Sequence, residues 1–452
     1  MKENDKRIYT MEKEKPIKAV LKMGIPVTLG MLVMVLYNLV DTFFIGQLND
    51  PYQLAASNFA YPVMMISVAM AGFVGNGAAS YIARCIGGKK IDEANHTLTI
   101  GFELTIILSI LLTILGLVFI NPIVTMLGAK DLTFNFTKDY VVVMFIGSLF
   151  IMGNYAFGQL LRSEGSTFYS MIGMIVGTVA NIILDPIFIF TFDMQIKGAA
   201  IATVIANGIG MLICLYFYAA GKTILSPSMK LLNMDKKIIG EIMAIGIPHT
   251  LEQFLAAAAI LVSNNLAVQY GELTVGVMGV ANKIMSIGTY IYQGMAAGCQ
   301  PLMGFNYGAK NYDRLKKLIK SGFIVIVSIE IVVMIYFGIR ANALIDYFTD
   351  DNEVILIGAK TLRAVMLMLP FVGITSLIRN VYNSIGKPLY AFGITIVRQL
   401  ILYIPIMIIF DKMWGYTGLI FGQPCEELIC MIFAVILLFT SLNRFEKKEK
   451  NA

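Results

Sequence analysis

Runs of about 20 apolar residues recur along this chain from residue 19 to residue 440, and each is long enough to cross a bilayer as a helix. The chain has 452 residues, of which 57% are hydrophobic and only 14% are charged. Soluble domains average about 25% charged residues. A single core cannot absorb this much apolar surface, whereas a bilayer can. The expected class is therefore an all-α integral membrane protein. The net charge of +6 is not gathered into one basic patch, so nucleic acid is not an expected partner. The cysteines Cys85, Cys214, Cys299, Cys425 and Cys430 form no CxxC pair, and His96 and His249 are the only histidines. That composition argues against a zinc or redox centre.

Twelve spans are expected, at 19–46, 54–83, 97–120, 139–161, 168–190, 199–219, 238–269, 274–304, 321–338, 354–378, 389–410 and 416–440. An even number places both termini on one side. Of the 35 Lys and Arg residues, 25 fall on that side, 5 on the other and 5 within spans. The bias identifies the terminal side as cytoplasmic. Residues 1–18 read as a cytoplasmic leader, 19–219 as an N-terminal lobe of six helices and 220–237 as a polar linker. Residues 238–440 read as a C-terminal lobe of six helices and 441–452 as a tail.

The lobes are copies. "KMGIPVTL" at 22–29 matches "AIGIPHTL" at 244–251, and "GGKKIDEA" at 87–94 matches "GAKNYDRL" at 308–315. "RSEGSTFYSM" at 162–171 matches "YNSIGKPLYA" at 382–391, and "KGAAIAT" at 197–203 matches "TGLIFGQ" at 417–423. The offsets, between 220 and 222, hardly change. Six spans per copy give the copies the same orientation. Parallel repeats are a transporter architecture with a site between the halves, although a channel or receptor could also arise by duplication.

Charged residues inside the membrane are costly and mark function by default. Asp41 lies about 33 Å along span 1 and Asp185 about 26 Å along span 5, both in the outer half. Asn181 is one turn from Asp185 on the same face. Thr203 lies about four residues, or ~6 Å, into span 6 and Tyr140 begins span 4 at a similar level, with Tyr37 and Asn38 just below Asp41. Two carboxylates in a low-dielectric pocket do not both ionise freely, so the pair can take up a proton or a sodium ion. Asp41 and Asp185 are thus the cation-coupling acids and the ligands expected for Na+ in a sodium-driven case. Each could instead be a structural partner or a snorkelling side chain. Pro26 and Pro186 remove backbone donors and are the expected bend points.

The second copy lacks this pair, because Ser263 and Ile406 occupy the equivalent positions. Lys283, Arg398, Glu426 and Glu427 fall near mid-depth, where opposite charges are expected to pair. Glu252 is expected to bind a cationic substrate or to pair with Lys283. Gln253 and Gln293 are further cavity candidates, with interhelical hydrogen bonding as the commoner use of such amides. The 28 methionines would suit a cavity accepting many shapes, or ordinary lipid-facing surface.

These residues carry a resemblance. "GIP" at 24–26 and 246–248, "LLRSEGSTFYSMIGMIVGTVANIILDPIFIF" at 160–190, "GAAIAT" at 198–203 and "CQPLMGFNYGAKNYDR" at 299–314 together resemble the multidrug and toxic compound extrusion (MATE) family, of its bacterial DinF/MepA-like kind. The resemblance covers residues 15–440. It implies two six-helix lobes facing each other as a V, and export of cationic lipophilic compounds against entry of H+ or Na+. It also implies a first-lobe cation site at Asp41, Asn181, Asp185 and Thr203, with Tyr140. Related branches use acids in helices 7 and 10, but helix 10 here, "LRAVMLMLPFVGITSLIRN", has none.

The expected protein is therefore no enzyme. It is a multi-pass antiporter of the plasma membrane that needs no cofactor beyond its coupling ion. Its partners are small cationic molecules and lipid, and a monomer is expected. A lipid-linked oligosaccharide flippase of the same superfold is the alternative, and would favour a cationic cavity. A major-facilitator carrier would show G-x-x-x-D-[RK]-x-G-[RK] in loop 2–3, where this chain reads "ARCIGGKKIDEANH".

Overall fold

A computed structural model describes residues 3–48, 50–227, 234–347 and 352–450. Among the described residues the chain is helical, with no strand. A leader helix, Glu3–Glu12, precedes span 1 (Pro16–Gly46), span 2 (Pro51–Gly87) and span 3 (Ile91–Val118). Span 4 has two pieces, Asp131–Ile146 and Ser148–Ser163, bent by 52° at Gly147. Span 5 (Thr167–Thr191) and span 6 (Gln195–Ala219) complete the first repeat. Span 7 (Lys236–Val268), span 8 (Glu272–Gly308) and span 9 (Tyr312–Asp346) follow. Span 10 is again broken, into Asn352–Met366 and Leu369–Ser384. Helix then continues from Pro388 to Lys450, interrupted at Gly415 by φ 59° and ψ −141°. That residue separates span 11 (388–414) from span 12 (416–450). Among the described residues the helices thus group into twelve spans, each broken pair counted once.

Several helices run well past their apolar stretches. Span 9 begins at Tyr312 rather than 321, so Arg314, Lys316, Lys317 and Lys320 sit on helix instead of in a loop. Hydropathy reports where lipid ends, whereas a helix ends where its backbone donors find other partners. At Asn311 the side chain accepts from Arg314 N at 3.2 Å, which caps the helix start. At span 2, Asp50 accepts from Tyr52 N at 2.9 Å, and Pro51 fills the first turn, where no donor is needed.

Span 3 shows how the sequence divides lipid from protein. Ile107, Ile110, Leu111, Ile114 and Val118 are exposed along one face. The opposite face carries Gly101, Thr105, Ser109 and Gly116, all buried. Small residues let backbones approach, and hydroxyls then bridge helices. Ser148 Oγ donates to Ser109 O at 3.0 Å, and Thr113 Oγ1 donates to Phe145 O at 2.7 Å.

The duplication is visible in the backbone. Lys89 and Lys310 both adopt left-handed φ, at 58° and 55°, and Gly165 and Gly386 do so at 85° and 72°. Both pairs are 221 residues apart. The break at Gly147 recurs, by the same offset, at Met368.

By contacts the chain forms two compact units, one of residues 1–13 and 29–250 and one of residues 14–28 and 251–452. The divisions after Thr28 and Thr250 fall two residues beyond Pro26 and Pro248, at equivalent repeat positions. In the first unit, the start of span 7 packs on span 2, with Gly77 against the Ile242 carbonyl and Gly246 against the Phe73 carbonyl. Arg84 pairs with Glu241 at 2.8 Å and Lys237 with Glu93 at 3.1 Å. In the second unit, the start of span 1 packs on span 8. A Cβ on Gly298 would lie 2.5 Å from the Gly24 Cα, and one on Gly294 would lie 2.5 Å from the Thr28 Cα.

Candidate functional site

The face of span 5 that turns inward is written in steps of four: Gly173, Gly177, Asn181, Asp185, all buried. Two glycines one turn apart let span 6 approach closely. A Cβ on Gly177 would lie 3.1 Å from the Ala206 carbonyl, and one on Gly173 would lie 2.9 Å from Cys214 Sγ. That close approach carries Asn181 and Asp185 into the lobe, where both are almost wholly inaccessible.

Asn181 Nδ2 donates to Asp185 Oδ1 at 3.0 Å. Asp41, on span 1, lies within electrostatic reach of Asp185. Thr203 is fully buried on span 6. Tyr140 shares one hydrophobic cluster with Ile45, Ile189 and Ala199. Those three stand four residues from Asp41, Asp185 and Thr203 respectively, so the four helices that carry these residues meet in that cluster. Pro186 ends the α-helical part of span 5, and Ile187–Thr191 continues as a π-helix. Helix widening next to an acid is a recurrent feature of functional sites. Pro26 lies inside span 1, in its first half.

Three oxygens of this cluster, Asp41 Oδ1, Asn181 Oδ1 and Asp185 Oδ2, are buried with nothing donating to them. Buried acceptors normally have a donor, so the set suits a proton or a cation. Among the described residues no three His, Cys, Asp or Glu side chains are placed to hold a metal together. A sodium ion would need amide or hydroxyl oxygens beside the two carboxylates. Next to the acids lies a cavity of about 60 Å³ lined by Met34, Met64, Asn154, Met174, Asn181 and Asn207, among others. Asn154 Nδ2 donates to Asn207 Oδ1 at 3.0 Å, and Asn207 Nδ2 donates to Thr203 O at 2.8 Å. The sequence reading did not single out Asn154 or Asn207. Asn207, one turn beyond Thr203 in an apolar run, was legible by spacing.

The side chains of Tyr37 and Asn38 lie outside the described residues. In the second unit, Gln253 and Gln293 are exposed and Glu252 is buried. Glu252 pairs with Arg379 Nη1 at 3.3 Å, not with Lys283. Span 10 continues to Ser384, so Arg379, expected in a loop, is carried on helix back to the acid. Lys283 is exposed and makes no ion pair among the described residues. Arg398 does pair as expected, with Nε donating to Glu427 Oε1 at 2.6 Å. Glu330, a lone acid in the apolar run of span 9, is wholly buried with both oxygens unpartnered. Its position was itself a signal that the sequence reading passed over.

In the connection between spans 4 and 5, Glu164 is fully buried. Its carboxylate accepts from Ser166 Oγ at 2.8 Å, Ile224 N at 3.0 Å and Leu225 N at 2.9 Å. Burial pushes this carboxyl up to about 7, against the opposing pull of those donors and of Arg7. Arg7 Nη1 donates to Lys222 O at 2.7 Å and its guanidinium lies 4.6 Å from the Tyr169 ring centre. The leader helix and Glu164 together pin the start of the linker to the first unit.

Comparison with known proteins agrees with this architecture. The MatE family model matches residues 26–187 and again 248–409, once in each repeat. The multidrug export protein MepA of Staphylococcus aureus (strain MSSA476) is 29% identical over 440 residues, covering 97% of each chain. MepA of Staphylococcus saprophyticus is 27% identical with the same coverage. Among solved structures, MATE in complex with MaL6 superposes with a TM-score of 0.93 at 26% identity, covering 98% of this chain and 99% of that one. An outward-facing multidrug resistance MATE transporter of the MOP superfamily gives 0.92 at 26% identity, covering 97% and 98%. Two matched repeats, the twelve-helix fold and near-complete coverage lead to one conclusion: this chain belongs to the MatE family, the multidrug and toxic compound extrusion (MATE) transporters.

Proposed function

We propose that this protein is a secondary active multidrug exporter, which expels cationic lipophilic compounds in exchange for H+ or Na+. It sits in the plasma membrane with both termini cytoplasmic. The observation that carries the reading is the Asp41–Asn181–Asp185 cluster, with three buried oxygens that no protein group satisfies. The staphylococcal relatives are named multidrug export proteins, and their similarity over almost the whole chain supports drug export here.

The coupling follows from charge. With the cation site empty, two nearby carboxylates face each other in a medium where repulsion is strong. An ion arriving from outside neutralises that repulsion, and each inward positive charge gains about 2.3 kcal/mol per 100 mV of membrane potential. Neutralisation lets the helices carrying the acids draw together. Pro26 and Pro186, each lacking a backbone donor, are the positions where spans 1 and 5 yield. The rearranged lobe then expels the drug.

The test is drug accumulation in inverted vesicles, with pH and sodium gradients imposed separately. Asp41→Asn and Asp185→Asn should abolish gradient-driven accumulation of ethidium-like cations while leaving protein level and folding intact. Wild-type transport by either variant would refute the scheme.

A further inference from the structure

The repeat offsets connect two regions of different chemistry. With the offset of 221 for spans 5 and 11, Gly177 corresponds to Arg398. With the offset of 220 for spans 6 and 12, Ala206 and Asn207 correspond to Glu426 and Glu427. In the first repeat these positions line the small cavity beside Asn181. In the second they hold one guanidinium and two adjacent carboxylates. Pairing of opposite charges accounts for one of these carboxylates and leaves the other unexplained.

Arg398 is engaged by Glu427 through both Nε and Nη2. Glu426 is 1% exposed and feels the charges of both Glu427 and Arg398. Its Oε1 has nothing donating to it, and neither has Glu427 Oε2. Arg379, the other arginine that acts on Tyr292 and Cys430 beside these acids, is itself paired with Glu252 at 3.3 Å. The remaining ionisable neighbours are Tyr403, bonded to Ser263, with Tyr292 on span 8 and Cys430 one turn along span 12. None of these brings a positive charge. Two carboxylates thus share one guanidinium in a water-poor interior, where an unbalanced charge is costly. A metal cation is a poor fit beside a guanidinium. A proton needs only one oxygen.

We propose that Glu426 is a second proton-binding carboxyl, seated in the C-terminal repeat against the Arg398–Glu427 pair. The dyad carries one proton in all. Arg398 neutralises Glu427, and the proton rests on Glu426 until that carboxyl meets water. Span 11 is π-helical over Val397–Tyr403, the segment that carries Arg398, so the guanidinium sits on a stretch whose backbone packing is already irregular. Glu330 differs, because no charged group among the described residues acts on it.

This inference deepens the antiport reading by adding a titrating group to it, but its test needs neither drug nor gradient. The experiment is pH-difference infrared spectroscopy of the purified full-length protein in lipid, reading the carbonyl bands of protonated carboxyls. Glu426→Gln should lose one band that titrates in the wild type. If the Gln variant is not recovered folded, Glu426→Asp decides, because moving the carboxyl by one methylene should shift the same band. A variant spectrum that keeps every wild-type band unshifted would overturn the proposal. Failure here leaves the Asp41–Asp185 scheme standing, and failure of drug transport in the aspartate variants leaves this one standing.

Discussion

Asn181 hands a hydrogen from Nδ2 to Asp185 Oδ1 at 3.0 Å, one helical turn apart on the face that also carries Gly173 and Gly177. The amide fixes one carboxylate oxygen and leaves the other, Asp185 Oδ2, without a donor. Removing the amide should leave the acid in place but unoriented. Asn181→Ala is expected to lower gradient-driven drug transport by about tenfold, a loss of roughly 1.4 kcal/mol of coupling. Drug binding in detergent should change far less. The two assays run side by side check the split.

The glycines of span 5 set the distance to span 6. At Gly177 a Cβ meets the Ala206 carbonyl at 3.1 Å, so a larger side chain must push the helices apart. Gly177→Leu is expected to cost about 1–3 kcal/mol, as overpacking of a close interface does. A lowered thermal midpoint, with transport lost in parallel, is the expected outcome.

Glu164 supplies a pH dependence. Its carboxyl titrates near 7 when folded, against an ordinary value of 4.5. Between those values the folded state holds a proton that the unfolded chain has released. The linked stability is therefore complete below the ordinary value and is lost as pH rises through about 7. The full effect is at most roughly 3 kcal/mol. Thermal midpoints at about pH 5 and about pH 8 should differ for the wild type and converge for Glu164→Gln.

The Arg398–Glu427 pair tests how buried charge is tolerated here. Arg398→Met alone leaves carboxylates without their counter-ion and should cost about 3–5 kcal/mol. Arg398→Met combined with Glu427→Met should recover most of that loss, because an apolar replacement of both partners leaves no stranded charge. A double variant less stable than the arginine variant would contradict the pairing.

Some of the site was legible in the chain and some was not. The approach of Asn181 to Asp185 follows from a spacing of four on a helix and needed no coordinates. The partner of Glu252 could not be found that way. Apolar sequence ends near Arg379, which predicts a loop there, yet helix continues to Ser384 and brings the side chain back to the acid. Glu330 was visible as an acid in an apolar run. Its lack of any partner was not visible, because partners come from other helices.

The sequence by itself determined the number of spans, their duplication and the spacing of polar residues along each one. Those properties depend on hydropathy and on rise per residue, which are local. Tertiary structure alone decided which faces meet and where each helix changes neighbours. Spans 1 and 7 each divide between the two contact units just beyond Pro26 and Pro248. It also decided which carboxylates keep an unsatisfied oxygen. Lateral packing in lipid is set by close steric fit at glycines and by hydrogen bonds between distant segments, and neither is written in the periodicity of any one helix.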